Sequence, residues 1–163
     1  MRTRLIGFIV VVLLVAAVAW QWRADDSDAR AHTLTSLDPD AVGHIEVALK
    51  GLPVQGFDRR DGHWVATRGG PVDEGRANEL ASLAATPVAA WKPAADFDPV
   101  KIGLAPPLGV LVLDGVHIEF GEMAALGKQR YAKVGDRIAF VPAQALPRAP
   151  RTASLPTRDG ATP

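Results

Sequence analysis

The side chains with the widest chemical reach are four histidines, His32, His44, His63 and His117. Imidazole binds metals and exchanges protons near neutral pH, but a metal site needs two or three rings to converge. His32 lies in a polar stretch. His44, His63 and His117 fall on, or at the edge of, segments with strand alternation, opposite the apolar positions. Such histidines face solvent. Convergence of His63 and His117 on one sheet face stays conceivable, because spacing does not reveal strand order. Among the acids, Asp114, Glu119 and Glu122 could be read as paired carboxylates. General acid–base work needs a shared cleft that splits their pKa values. Asp114 instead belongs to an Asp-Gly turn, and the two glutamates sit at an exposed strand edge.

Other candidates fail for equally specific reasons. Ser36, Ser82 and Ser154 lack the glycine-flanked strand–turn–helix setting of a nucleophile elbow. Gly69-Gly70 follows a strand and precedes a helix, as a phosphate loop does. It lacks the lysine and the glycine spacing of that motif, so it reads as a chain-turning loop. Trp64, Trp91 and Tyr131 could rim a ligand groove, although aromatics at strand positions more often fill a core. The sequence therefore assigns no catalytic, cofactor-binding or metal-binding residue, leaves any ligand site unknown, and points to a non-enzyme without a cofactor.

Position in the cell is more legible than chemistry. Leu5–Trp20 reads LIGFIVVVLLVAAVAW, with no charge and no polar face. With Gln21 and Trp22 it can span roughly 27 Å as a helix, close to a hydrocarbon core of about 30 Å. Trp20 and Trp22 end the run, where indoles favour the membrane boundary. Arg2 and Arg4 precede it; Arg23 and the acids Asp25, Asp26 and Asp28 follow. The positive-inside rule puts Met1–Arg4 in the cytoplasm and the remainder outside. The alternative is a cleaved signal peptide ending at Ala17-Val18-Ala19, which leaves a soluble periplasmic domain. The apolar run exceeds the usual h-region, and a bulky Trp20 follows the cut.

The chain has no cysteine. That excludes a disulfide framework, a thiolate metal site, a cysteine nucleophile and a lipoprotein anchor. With 48% hydrophobic residues, a single core can hold the exported part. A cysteine-free exported domain behind an arginine-flanked span suggests a bacterial inner-membrane protein facing the periplasm. Nucleic acid is not an expected partner. The formal net charge is +0, and Arg59-Arg60 is as long as any basic run becomes.

The elements that must position these residues follow in order. Residues 24–40 are polar and read as a tether. His44–Leu49 alternates, with Ile45, Val47 and Leu49 on one face. Val54–Arg59 and His63–Arg68 flank an Asp61-Gly62 turn and make a hairpin with Phe57 and Trp64 in the core. Asp73 caps a helix of about three turns whose apolar stripe is Ala77, Leu80, Ala81 and Ala84, stopped by Thr86-Pro87. Val88–Trp91 is a short apolar run. Asp98-Pro99 opens a single helical turn that Gly103 ends. Two further hairpins, Gly109–Leu113 with Val116–Phe120 and Gln129–Val134 with Arg137–Val141, form an antiparallel meander. Gly121–Lys128 is its one longer loop. Residues 146–163 carry four prolines and no apolar period, as a disordered Pro/Arg-containing tail does.

The fold expected is thus α+β: an N-terminal transmembrane helix, then a small domain of antiparallel β-hairpins with one main amphipathic helix. Its divisions are a cytoplasmic stub and anchor over 1–23, a tether over 24–40, the periplasmic domain over 41–145 and the tail over 146–163.

Within that domain, Gly103, Leu104 and Pro107, followed by Arg130, Tyr131, Gly135, Asp136 and Val141, resemble a known pattern. It reads "GL-x-x-P", two strands around a glycine turn, then "RY-x-x-x-GD-x-x-x-x-V". The pattern is that of an envelope-associated bacterial family of unknown function whose members recur beside gliding-motility ABC transporter components. Arg60–Trp64 and Val72-Asp73 also fit, and the resemblance spans roughly Ile45–Val141. An aromatic residue commonly precedes the "GL", where this chain has Ile102. The resemblance implies a fold and an exported, membrane-tethered setting, and it carries over no catalytic residue. The expected function is a membrane-anchored accessory or scaffold of a transporter-type envelope assembly with an envelope protein as partner. The alternative is a periplasmic glycan- or lipid-binding module.

Overall fold

A computed structural model describes residues 32–125 and 127–150. The Leu5–Trp20 span, most of the tether and residues 151–163 lie outside the described residues. Among the described residues, no helix is long and apolar enough to cross a membrane.

The domain is one sheet of eight strands, every neighbouring pair antiparallel. The strands are β1 (His44–Leu49), β2 (Gln55–Arg60), β3 (His63–Ala66), β4 (Ala90–Pro93), β5 (Gly109–Leu113), β6 (Val116–Met123), β7 (Gln129–Val134) and β8 (Arg137–Pro142). Among the described residues a single α-helix, α1 (Glu74–Ser82), lies between β3 and β4 in the chain. The spatial order is β3-β2-β1-β5-β6-β7-β8-β4. Two blocks of hairpins therefore meet at the β1–β5 pair, where Ile45 stands opposite Leu113 and Val47 opposite Leu111. β3 and β4, consecutive strands in the chain, end up at opposite edges.

The turns explain why the hairpins close where they do. Asp61 and Gly62 have φ of 52° and 85°, and Asp114 and Gly115 have 45° and 85°. Two successive positive φ values are those of a type I′ turn, whose twist matches the flanking strands. At Gly135-Asp136 only the glycine has positive φ, 60°. Asp114 does more than turn the chain. Its Oδ1 accepts from the N–H groups of Gly43, 3.1 Å, and His44, 2.8 Å, and so fastens the start of β1.

One face of the sheet holds the main core. Ile45, Val47, Leu111, Leu113, Ile118 and Phe120 are almost wholly buried with Ala77, Leu80, Ala81 and Ala84 of the helical segment. Alternation on the strands and the i, i+3, i+4 stripe on α1 meet there. Asp73 caps the helix, its Oδ1 accepting from the Arg76 N–H at 3.0 Å. A 3-10 turn, Leu83–Ala85, extends it toward Pro87. On the opposite face, near β7 and β8, a smaller cluster joins Ile102, Leu104 and Ile138 with Phe97 and Tyr131. The chain over residues 94–107 thus covers part of that face.

Three boundaries differ from the sequence reading. The domain begins inside the expected tether: Leu34 is 1% exposed, its N–H donates to Thr86 O and the Thr35 N–H to Ala84 O. Leu34 and Leu37, two leucines among polar residues, are too few to announce an element. The domain also continues into the expected tail, where Leu146 packs on the core and Arg148 O accepts from Arg76. Finally, β6 runs on to Met123, through a bulge between Phe120 and Met123, into the stretch expected as a loop.

That bulge is where the chain comes closest to itself. The Glu122 N–H donates to Ile102 O at 2.8 Å. A Cβ on Gly121 would stand 2.4 Å from Ile102 O. A Cβ on Gly103, whose φ is +69°, would stand 2.4 Å from Glu122 Cγ. Gly121→Ala must push the 98–104 turn off the sheet, at an expected destabilisation of about 1–3 kcal/mol. Gly43→Ala, where the nearest atom is 3.7 Å away, serves as the nearly neutral comparison in thermal unfolding of the full-length protein.

Candidate functional site

The strand order disposes of the histidine site. β3 and β6 have three strands between them, so His63 and His117 stand roughly 19 Å apart across the sheet at about 4.8 Å per strand. His63 Nδ1 lies 3.1 Å from Glu74 Oε1, and His44 Nδ1 lies 2.7 Å from Asp58 Oδ1. Each is a local contact on the exposed or half-exposed surface. Among the described residues, no group of three or more His, Asp or Glu could hold a metal ion.

Asp114 and Glu119 share the β5–β6 hairpin but are engaged by different partners. Glu119 pairs with Lys133 across β6 and β7 at 3.3 Å. Asp114 is occupied by backbone N–H groups at the far end of β5. Ser82 Oγ donates to Glu79 O, and Ser154 lies outside the described residues. Gly69 and Gly70 have φ of 75° and 106° with open space around them, and Asp73 already occupies the start of the helix. No phosphate cradle is left. Arg59 is committed too: its guanidinium lies 4.6 Å from the Trp64 ring centroid and donates to Asp40 O.

The three aromatics do not form one groove. Trp64 is 4% exposed, and its Nε1–H donates to Asn78 Oδ1 of α1 at 2.8 Å. Tyr131 packs with Phe97 and Phe140 on the opposite face of the sheet, ring centroids 5.8 and 5.2 Å away. Trp91 lies on the other edge from Trp64. It lines a groove of about 370 Å³ with Thr33, Leu34, Val116, Val134 and Arg137. The Arg137 guanidinium stacks over its ring at 4.3 Å.

Arg130, first residue of the "RY" pair, has a role that the sequence did not disclose. It is 8% exposed. Its Nη1 donates to Gly121 O at 2.6 Å, in the bulge, and its Nε to Ala143 O at 3.2 Å, beyond β8. Burial pushes the guanidinium below its ordinary pKa, opposed by the Glu122 carboxylate. It stays charged all the same. It acts as a strut between the bulge and the end of β8.

What the domain does expose in usable form is its edge. In a two-residue hairpin the closing pair, here Arg60 with His63, is hydrogen-bonded and the bonding alternates from there. The Thr67 N–H to Gly56 O bond, 2.9 Å, keeps that alternation. Trp64 and Ala66 therefore aim their backbone groups away from β2. Between them, Val65 is 39% exposed. The other edge, β4, is blunted by Lys92 and Pro93, the devices that stop strand addition. β3 has no proline, lysine or bulge.

No family model, curated protein or solved structure matches this chain.

Three substitutions test the structural roles of Arg130 and Trp64. Arg130→Met leaves two carbonyls without their donor and is expected to cost about 2–5 kcal/mol. Arg130→Lys, which cannot span both acceptors, should recover little of this in denaturant titrations. Trp64→Ala is expected to cost about 3–5 kcal/mol, as a core aromatic does.

Proposed function

We propose that this chain is a single-pass bacterial inner-membrane protein, its N-terminus cytoplasmic, that presents a small α+β domain to the periplasm. It serves as a non-enzymatic accessory or scaffold of an envelope assembly of the transporter type. The observation that carries this reading is the asymmetry of the sheet: one edge blunted, the other open to an added strand. Strand addition draws affinity from main-chain hydrogen bonds and needs no pocket. The Leu5–Trp20 span and the "GL-x-x-P … RY-x-x-x-GD" resemblance support the setting. Cross-linking the full-length protein in intact membranes tests it. The expected result is a reproducible set of envelope proteins retained through detergent extraction, and reduced by Val65→Lys. A partner-free chain would count against it.

A second reading has its own observation, the Trp91–Arg137 groove. An indole beneath a guanidinium suits a glycan ring or a lipid headgroup. On this reading Trp91→Ala abolishes binding of periplasmic glycans or lipids, measured by calorimetry, while the fold keeps its melting temperature within a few degrees.

A further inference from the structure

We infer that the strand added at the open edge is β3 of a second copy of this chain, in an isologous antiparallel pair centred on Val65. The inference rests on the reading of β3 as a docking edge and names its occupant.

The edge is self-complementary in one register. The groups aimed outward belong to Trp64 and Ala66. Placing Val65 opposite Val65 of the partner puts Trp64 opposite Ala66 on both sides of the two-fold axis. Each such pair exchanges two N–H to C=O bonds, so the register uses the outward groups of both residues in both chains. Shifting it to set Trp64 opposite Trp64 leaves Ala66 facing Gly62 at the turn, and half of those bonds are lost. The Gly69 N–H already donates to Ala66 O at 3.0 Å, but a carbonyl has a second lone pair.

Side chains agree with the centred register. Val65 would face its own copy in a non-hydrogen-bonded pair, the closest cross-strand spacing, and lose its exposure there. His63 would face the turn of the second copy that begins at Thr67, where β3 ends. No like charges oppose each other. Pairing through β4 is disfavoured by Lys92 and Pro93, so the assembly would close at two copies.

The absence of cysteine makes a direct test available. In full-length protein in membranes, Val65→Cys would bring two thiols together with Cα atoms about 4.5 Å apart. That lies within the range of roughly 4.4–6.8 Å that a disulfide bridges. Mild oxidation is expected to give a covalent homodimer, and His117→Cys, exposed in mid-sheet, is expected to stay monomeric. In detergent, Val65→Lys should halve the protein mass by light scattering without lowering the melting temperature. Two results overturn the inference: Val65→Cys dimerising no faster than His117→Cys, or Val65→Lys leaving the mass unchanged. Should Val65→Cys instead cross-link to a different envelope protein, the second copy is excluded and the accessory role stands. Should it cross-link to nothing while Val65→Lys leaves the retained envelope proteins unchanged, both readings fall.

Discussion

The sheet turns on one buried cation. Arg130 reaches from β7 to the carbonyl of Gly121 in the β6 bulge and to that of Ala143 past the end of β8. A bulge leaves backbone groups out of the ladder, and in a covered position those groups need another partner. A guanidinium can serve two carbonyls at once because its donors are fixed in a fork. The charge loses solvation on burial, and Glu122 opposes that loss. The arrangement lets β6 leave its regular register with β7 without opening the core.

The bulge then sets the position of what covers the sheet. Gly121 and Gly103 allow the 98–104 turn to lie against β6, with the Glu122 N–H bonded to Ile102 O. Ile102 and Leu104 reach Ile138, and Phe97 reaches Tyr131 and Phe140. The "GL-x-x-P" and "RY" segments, distant in sequence, are thus two sides of one junction. Their residue types answer to close approach and to buried carbonyls.

At the other end of the sheet, polar side chains join the helix to the strands. Asn78 of α1 accepts from Trp64 Nε1, and Arg59 stacks on the same indole. Arg76 donates to Gln55 of β2 and to Arg148 O, holding the segment around Arg148 beside the helix. These contacts fix the inner face of β3, whose outer margin carries the backbone groups of Trp64 and Ala66 that point away from β2. An edge held rigid on one side and open on the other meets a condition for strand addition, since little of the docking surface must be ordered on binding.

Local chemistry decided the pieces, and the sequence carried it. Asp-Gly pairs dictated two hairpins because few other residues adopt consecutive positive φ. Asp73 and the Ala77–Ala84 stripe dictated the helix, and alternation in the strands dictated which side chains face the core. The antiparallel meander from Gly109 to Val141 follows from the same rules. Tertiary structure alone decided the rest, because it depends on contacts that have no period. The meeting of β1 with β5 put His63 and His117 far apart and Trp64 and Trp91 on opposite edges. Leu34 and Leu146 joined the core from outside the recognised elements, with too short a pattern around them to signal it. Arg130 looks like any surface arginine in the sequence; only the bulge opposite it makes it a strut. Most of all, β3 is an open edge because of where the chain went next, a fact of topology that residue types cannot express.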